Sequence, residues 1–278
     1  MAQRFISGVV GIPLLVLVIF AGGGLPFAIS IMLLSVLGLS EFYRGVKMTG
    51  ANPQEWVGYA YIGVFVFLAT NHYHSSGYAT TSIMTLLVIV SMTLELARTN
   101  RDPIRDIGST FLGVVYPAWL FSYLAALRYL PGELKLSWLP WSIPLGSYLV
   151  LFVIFSAWSS DTTAYLIGRK WGKNKLAPSL SPGKSWEGGF AGIAACCVVS
   201  SFFSCGLHIN WMFVPIIGIG IAVSSLFGDL AKSSIKRSIG IKDFGSILPG
   251  HGGILDRFDG LLFAGPLFYY FCTMILHY

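Results

Sequence analysis

Two chemistries stand end to end between Trp211 and Asp259. Trp211–Leu230 reads WMFVPIIGIGIAVSSLFGDL and carries a single charge, Asp229. Ser233–Asp259 reads SSIKRSIGIKDFGSILPGHGGILDRFD and carries the bases Lys236, Arg237, Lys242 and Arg257 among the acids Asp243, Asp256 and Asp259. The first run is long and apolar enough to cross hydrocarbon as a helix; the second is too polar to enter it. Pro249-Gly250-His251-Gly252-Gly253 interrupts the polar stretch with a turn that lets backbone approach a ligand closely. Bases can face phosphates and carboxylates can hold a hard cation, the combination that nucleotidyl or phosphoryl transfer requires.

The rest of the chain repeats the apolar half of this pattern. Of 278 residues, 55% are hydrophobic and 11% charged, with mean hydropathy +0.71. A soluble domain carries about 25% charge, so this is a polytopic membrane protein. Nine runs are expected to span: Phe5–Ala21, Leu25–Tyr43, Val57–Thr70, Ala79–Ala97, Ile107–Leu127, Ile143–Gly168, Gly188–Gly206, Trp211–Leu230 and Gly260–Leu276. The first reads as a retained span rather than a cleaved signal peptide, because further apolar runs follow at once. With nine spans, sixteen of the eighteen Lys and Arg residues fall on one side, leaving Arg128 and Lys135 on the other. The positive-inside rule then puts the N-terminus in the cytoplasm and the C-terminus outside. The net charge of +6 is mainly this topology signal, with attraction to anionic headgroups secondary. The expected fold is an all-α bundle of about nine transmembrane helices. Residues 1–142 form a scaffold with room for a lipid groove, and residues 143–278 form the catalytic region.

Chemistry concentrates on the inner side. Asp161, in SSDTTAY, interrupts an apolar run and shares a helix face with Tyr165; such a group is costly unless paired or hydrated. Glu41 and Glu95 lie near inner helix ends, within reach of headgroup water and of Arg44 and Arg98 at helical spacing, and read as structural ion pairs. The loop Arg169–Glu187 holds glycines, hydroxyls and basic residues, including Lys184 and Ser185. Its Ser181-Pro182-Gly183-Lys184-Ser185 looks like the end of a phosphate-binding P-loop, but the required earlier glycine is absent. Asp229, Asp256 and Asp259 would together make an oxygen site for Mg²⁺; the competing reading is a salt-bridge knot closed by Arg257 and Lys236. His72 and His74 read as part of an ordinary interfacial loop, and Cys196, Cys197, Cys205 and Cys272 as small hydrophobes without metal-type spacing.

Taken in order, Ser233-Ser234-Ile235-Lys236-Arg237, Lys242-Asp243-Phe244-Gly245 and Leu248-Pro249-Gly250-His251-Gly252-Gly253-Ile254-Leu255-Asp256-Arg257-Phe258-Asp259 resemble the signature of the phosphatidate cytidylyltransferases, or CDP-diacylglycerol synthases. The Asp161–Tyr165 and Ser181–Gly188 segments look like this family too, so the resemblance covers about the C-terminal half. It implies transfer of the cytidylyl group of CTP to phosphatidate, with Mg²⁺ as cofactor and a second cation left open. In that reading Asp229 and Asp256 hold the metal with Asp259 assisting. Lys236, Arg237 and Lys242 hold triphosphate or lipid phosphate, and Ser233 donates to a phosphate oxygen. Arg257 binds substrate or orients the carboxylates, and His251 shapes the turn or donates to pyrophosphate. Asp161, Lys184 and Ser185 line the CTP side. The partners implied are CTP, phosphatidate and the bilayer, not nucleic acid; a homodimer stays open. The implied location is a bacterial plasma membrane with the site facing the cytoplasm. Alternatives are a cytidylyltransferase for another lipid phosphate, such as an isoprenoid-glycerol phosphate, and an anionic-solute transporter. The transporter reading calls for polar groups on both faces, which the sequence lacks.

Overall fold

Apolar runs of this length have one way to satisfy their backbone in hydrocarbon, and the computed structural model forms them as helices. It describes residues 11, 13–71, 77–99, 102–130, 134–136, 142–207, 209–247 and 252–276. Residues 13–20 are helical, and Phe5–Val10 and Ile12 of the expected first span lie outside the described residues. The helices that follow are α1 (Leu25–Lys47), α2 (Glu55–Thr70), α3 (Gly77–Leu96), α4 (Pro103–Gly113), α5 (Leu120–Tyr129), α6 (Leu145–Trp171), α7 (Trp186–Leu207), α8 (Phe213–Ile239) and α9 (Leu255–Met274). Six stretches among the described residues are long and apolar enough to cross a membrane: α1, Tyr78–Leu96, Pro103–Tyr129, α6, α7 and α8. This makes the chain an integral multi-pass α-helical protein. α2, the expected third span, has 16 residues. α9, the expected ninth, begins at Leu255 rather than Gly260 and so takes Asp256, Arg257 and Asp259 into its first turns.

Pro103–Tyr129 runs continuously because a π turn, Val114–Trp119, joins α4 to α5. Pro117 lies inside it and has no N–H for an ordinary helical bond, which is where such wide turns form. α8 exceeds its expected end at Leu230 by nine residues. The sequence AKSSIKRSI has no breaker, and the helix stops where Gly240 takes φ +81°. Its 27 residues span ~40 Å, more than the ~30 Å of hydrocarbon, so polar turns extend beyond the apolar run. The expected loop after α6 is an antiparallel hairpin of β3 (Lys175–Ala177) and β4 (Ser181–Ser185). A second short pair, β1 (Lys135–Leu136) with β2 (Ile143–Pro144), precedes α6.

The chain forms two compact units. The first takes the described residues up to Tyr129 together with Ile239–Arg257. Its core is built from Leu39, Phe42, Tyr43, Phe65, Phe121 and Leu124, all at most 2% exposed. Phe244 packs on Phe42 with ring centroids 6.5 Å apart. The second unit takes Leu130–Ser238 and Phe258–Tyr278. There α6 and α7 pack antiparallel: Tyr148 Oη donates to the Phe203 carbonyl at 2.9 Å, and the ring of Phe152 sits between Phe203 and Phe268 at 5.2 and 4.7 Å.

Candidate active site

The second unit gathers charge from four elements. α8 carries Asp229 and Lys232, three residues apart and therefore on one face. Lys232 Nζ is 2.8 Å from Asp229 Oδ1 and also pairs with Asp259 Oδ2 of α9. Lys184 Nζ, from β4, reaches Asp229 Oδ2 at 2.6 Å. Ser225, one turn before Asp229, donates to Asp161 Oδ1 of α6 at 3.1 Å. The Lys232 and Asp259 side chains are 9% and 10% exposed, and those of Lys184 and Asp229 are 23% and 27% exposed. Glycine makes this packing close: a Cβ on Gly228 would collide with the Asp259 carbonyl oxygen, and one on Gly260 with the Ser225 hydroxyl.

In formal charges, three carboxylates (Asp161, Asp229, Asp259) stand against two ammonium groups, an excess of one negative. Charges buried to this degree need such partners. Lys232 is the residue that the sequence reading passed over. Its signal was present as a base three residues after Asp229 in a helical run, but it preceded the quoted stretch and sat beside apolar sequence. Ser233 and Lys236 follow one and two turns further along α8, half-buried, while Arg237 is exposed.

The first unit holds the remaining candidates. Asp256 Oδ2 accepts from the Phe244 amide at 2.8 Å and from the Gly253 amide at 3.2 Å, so this carboxylate braces the segment that precedes α9. Lys242 and Arg257 are exposed. His251 lies outside the described residues, as do His72 and His74. Ser185, in the second unit, is buried, and its hydroxyl accepts from the Gly188 amide at 3.2 Å, capping α7. Glu187 in turn accepts from the backbone and side-chain amides of Asn174 at 3.1 and 2.9 Å, tying the hairpin to the start of that helix.

Two expectations about structural carboxylates separate. Glu95 does pair with Arg98, at 3.4 Å, and Arg98 is shared with Asp106 at 3.6 Å. Gln54 adds a donor to Glu95 at 2.9 Å. Glu41 is not at headgroup water: it is 0% exposed, and its oxygens go to the Ile254 and Leu255 amides rather than forming a close pair with Arg44.

The oxygen donors of Asp229 and Asp259 suit a hard divalent cation, and the net negative charge favours one. Among the described residues no group of three or more His, Cys, Asp or Glu side chains could hold a metal ion alone.

The chain is thus a multi-pass membrane protein with a buried carboxylate–ammonium cluster and further bases along one of its helices. Comparison with known proteins gives the family. The sequence profile of the cytidylyltransferase family matches residues 2–275, and the chain belongs to that family. It is 31% identical to the phosphatidate cytidylyltransferase of Bacillus subtilis, over 99% of this chain and 98% of that protein. It is 32% identical to that of Synechocystis, over 99% and 97%. The chloroplastic phosphatidate cytidylyltransferase 5 of Arabidopsis thaliana is 32% identical over 95% of this chain and 70% of its own length.

Proposed function

We infer that this chain transfers the cytidylyl group of CTP to phosphatidate, forming CDP-diacylglycerol and pyrophosphate. A phosphate oxygen of phosphatidate attacks the α-phosphorus of CTP. A P–O–P bond forms there, the bond from the α-phosphorus to the bridging oxygen breaks, and pyrophosphate carries away the electron pair. The nucleophile is already an anion, so no strong general base is required; the obstacle is bringing two anions together.

The observation that carries the site assignment is Lys232 held between Asp229 and Asp259, with Lys184 on the opposite oxygen of Asp229. In this reading Asp229 and Asp259 hold Mg²⁺. Asp256, in the first turn of α9, is the further acidic group that this reading assigns to the reaction. The ion, when bound, neutralises phosphate charge and stabilises the departing pyrophosphate. Lys184 and Lys232 orient the carboxylates and offer positive charge to the phosphates. Ser233, Lys236 and Arg237 extend that field along α8, and Lys242 and Arg257 supply further charge. His251 shapes the glycine turn or donates to pyrophosphate. Asp161, fixed by Ser225, lines the CTP side with Ser185. The site faces the cytoplasm of a bacterial cell, with the N-terminus on the same side and the C-terminus outside. The Lys and Arg distribution supports this sidedness, and the likeness to bacterial relatives supports the cell type.

The test is purified full-length protein in lipid-supplemented detergent with labelled CTP and phosphatidate. Mg²⁺-dependent release of labelled CDP-diacylglycerol, abolished by a chelator, is expected. No CDP-lipid formation would overturn the reaction. Faster turnover of an isoprenoid-glycerol phosphate than of phosphatidate would overturn the lipid assignment alone.

A further inference from the structure

Glu41 belongs to α1, far upstream of the signature, and the reaction described above makes no use of it. It is wholly buried. Its Oε1 accepts the Ile254 N–H at 3.0 Å and its Oε2 the Leu255 N–H at 3.1 Å. Those amides open α9, where backbone N–H groups have no acceptor within their own helix. A carboxylate more than two hundred residues away in sequence therefore supplies the cap.

The same carboxylate dictates the backbone around it. A Cβ on Gly245 would lie 2.5 Å from Oε1, and one on Gly253 2.5 Å from Oε2, so a side chain at either position would displace this carboxylate. α1 also opens at Gly38 to admit Leu255, whose Cδ2 would stand 3.1 Å from a Cβ there. On the adjoining backbone Asp256 holds the Phe244 and Gly253 amides. Three consecutive amides, 253 to 255, are thus divided between Asp256 and Glu41. The two carboxylates thus hold adjacent backbone, Asp256 at 253 and Glu41 at 254 and 255.

We propose that Glu41 is a positioning residue for Asp256: by clamping the first amides of α9 it fixes the direction in which the Asp256 carboxylate is presented. The proposal rests on the reading of Asp256 as a working carboxylate. An apolar cap could fill the space but could not accept two charge-assisted hydrogen bonds. Glutamine has one acceptor oxygen, and its NH₂ would face an N–H.

The experiment uses the full-length protein in lipid-supplemented detergent and compares wild type with Glu41→Gln and Asp256→Asn. In Glu41→Gln, kcat is expected to fall about 10–100-fold, the cost of an ångström-scale misplacement, with KM for both substrates within about twofold. Amide exchange in a peptide covering residues 252–258 rises about tenfold, while a peptide from α6 and the global melt stay as in wild type. Wild-type turnover in Asp256→Asn would overturn the reading of Asp256 and the proposal with it. An inactive Asp256→Asn beside a folded Glu41→Gln with wild-type kcat, or with unchanged exchange at 252–258, would overturn the positioning role alone. Should Glu41→Gln not fold, Gly245→Ala decides, since its methyl group pushes on Oε1 and leaves the charge in place. The same loss of kcat in folded Gly245→Ala supports the proposal. If that variant keeps wild-type kcat or also loses its global fold, Glu41 is not a positioning residue.

Discussion

Replacing Lys232 with methionine tests whether the buried charges form one unit. The Lys232 side chain is 9% exposed, and its ammonium serves two carboxylates, Asp229 at 2.8 Å and Asp259. Methionine keeps most of the volume, so cavity formation is a minor term. The main loss is electrostatic. Asp229 retains Lys184 at 2.6 Å, whereas Lys232 is the only ion-pair partner of Asp259 within 4 Å among the described residues. Truncating one partner of a buried pair costs about 3–5 kcal/mol, and with half of the arrangement still paired the lower end, about 3 kcal/mol, applies. The net charge of the cluster falls from one negative to two. Mg²⁺ should therefore raise the melting temperature of Lys232→Met more than that of wild type. The assay is thermal unfolding in detergent of wild type, Lys232→Met, Asp259→Asn and the double variant, with and without Mg²⁺. The double variant should cost less than the sum of the singles by about 1.5–3 kcal/mol, the coupling of groups in direct contact. Additive costs, or a Lys232→Met protein that melts like wild type, would refute the idea that this lysine holds the carboxylates.

Other expectations follow from neighbouring geometry. Lys184→Met removes the second cation on Asp229 and should raise KM for CTP about tenfold, measured by steady-state kinetics, because a charge-assisted contact is worth about 1.5 kcal/mol or more. Gly228→Ala drives a methyl group into the Asp259 carbonyl oxygen; it should cost about 1–3 kcal/mol in a thermal melt and lower turnover as α9 is pushed off α8. Arg98→Met leaves Glu95 and Asp106 without their shared cation, both side chains being 3% exposed. It should destabilise the first unit by about 3–5 kcal/mol, read by limited proteolysis, while the folded fraction keeps its kcat.

In a membrane chain hydrophobicity writes out the elements, and most of the apolar runs do appear as helices. The failures concern polar sequence. AKSSIKRSI after Leu230 looked like loop because it could not lie in hydrocarbon. It had no reason to stop being helix until Gly240, and propensity there outran the membrane boundary. Extending α8 changes the chemistry, because it brings Lys232 onto the Asp229 face. Local pairs were readable: Glu95 with Arg98 at a spacing of three is present as expected. Distant ones were not. Glu41 had Arg44 three residues on, an adequate partner by local rules, yet it is spent on amides 213 and 214 residues later. Asp161 likewise finds Ser225 across 64 residues. A buried polar group must be satisfied, but sequence states only the debt and its neighbours, not the creditor. The glycines of the signature show the same limit from the other side. Gly245 and Gly253 look like turn residues in isolation, and the structure gives them a different cause, the carboxylate of α1 pressed against both. The N-terminal half, which the signature leaves unmarked, therefore has its own hold on the signature, with Glu41 accepting from its backbone and Phe42 packing on Phe244.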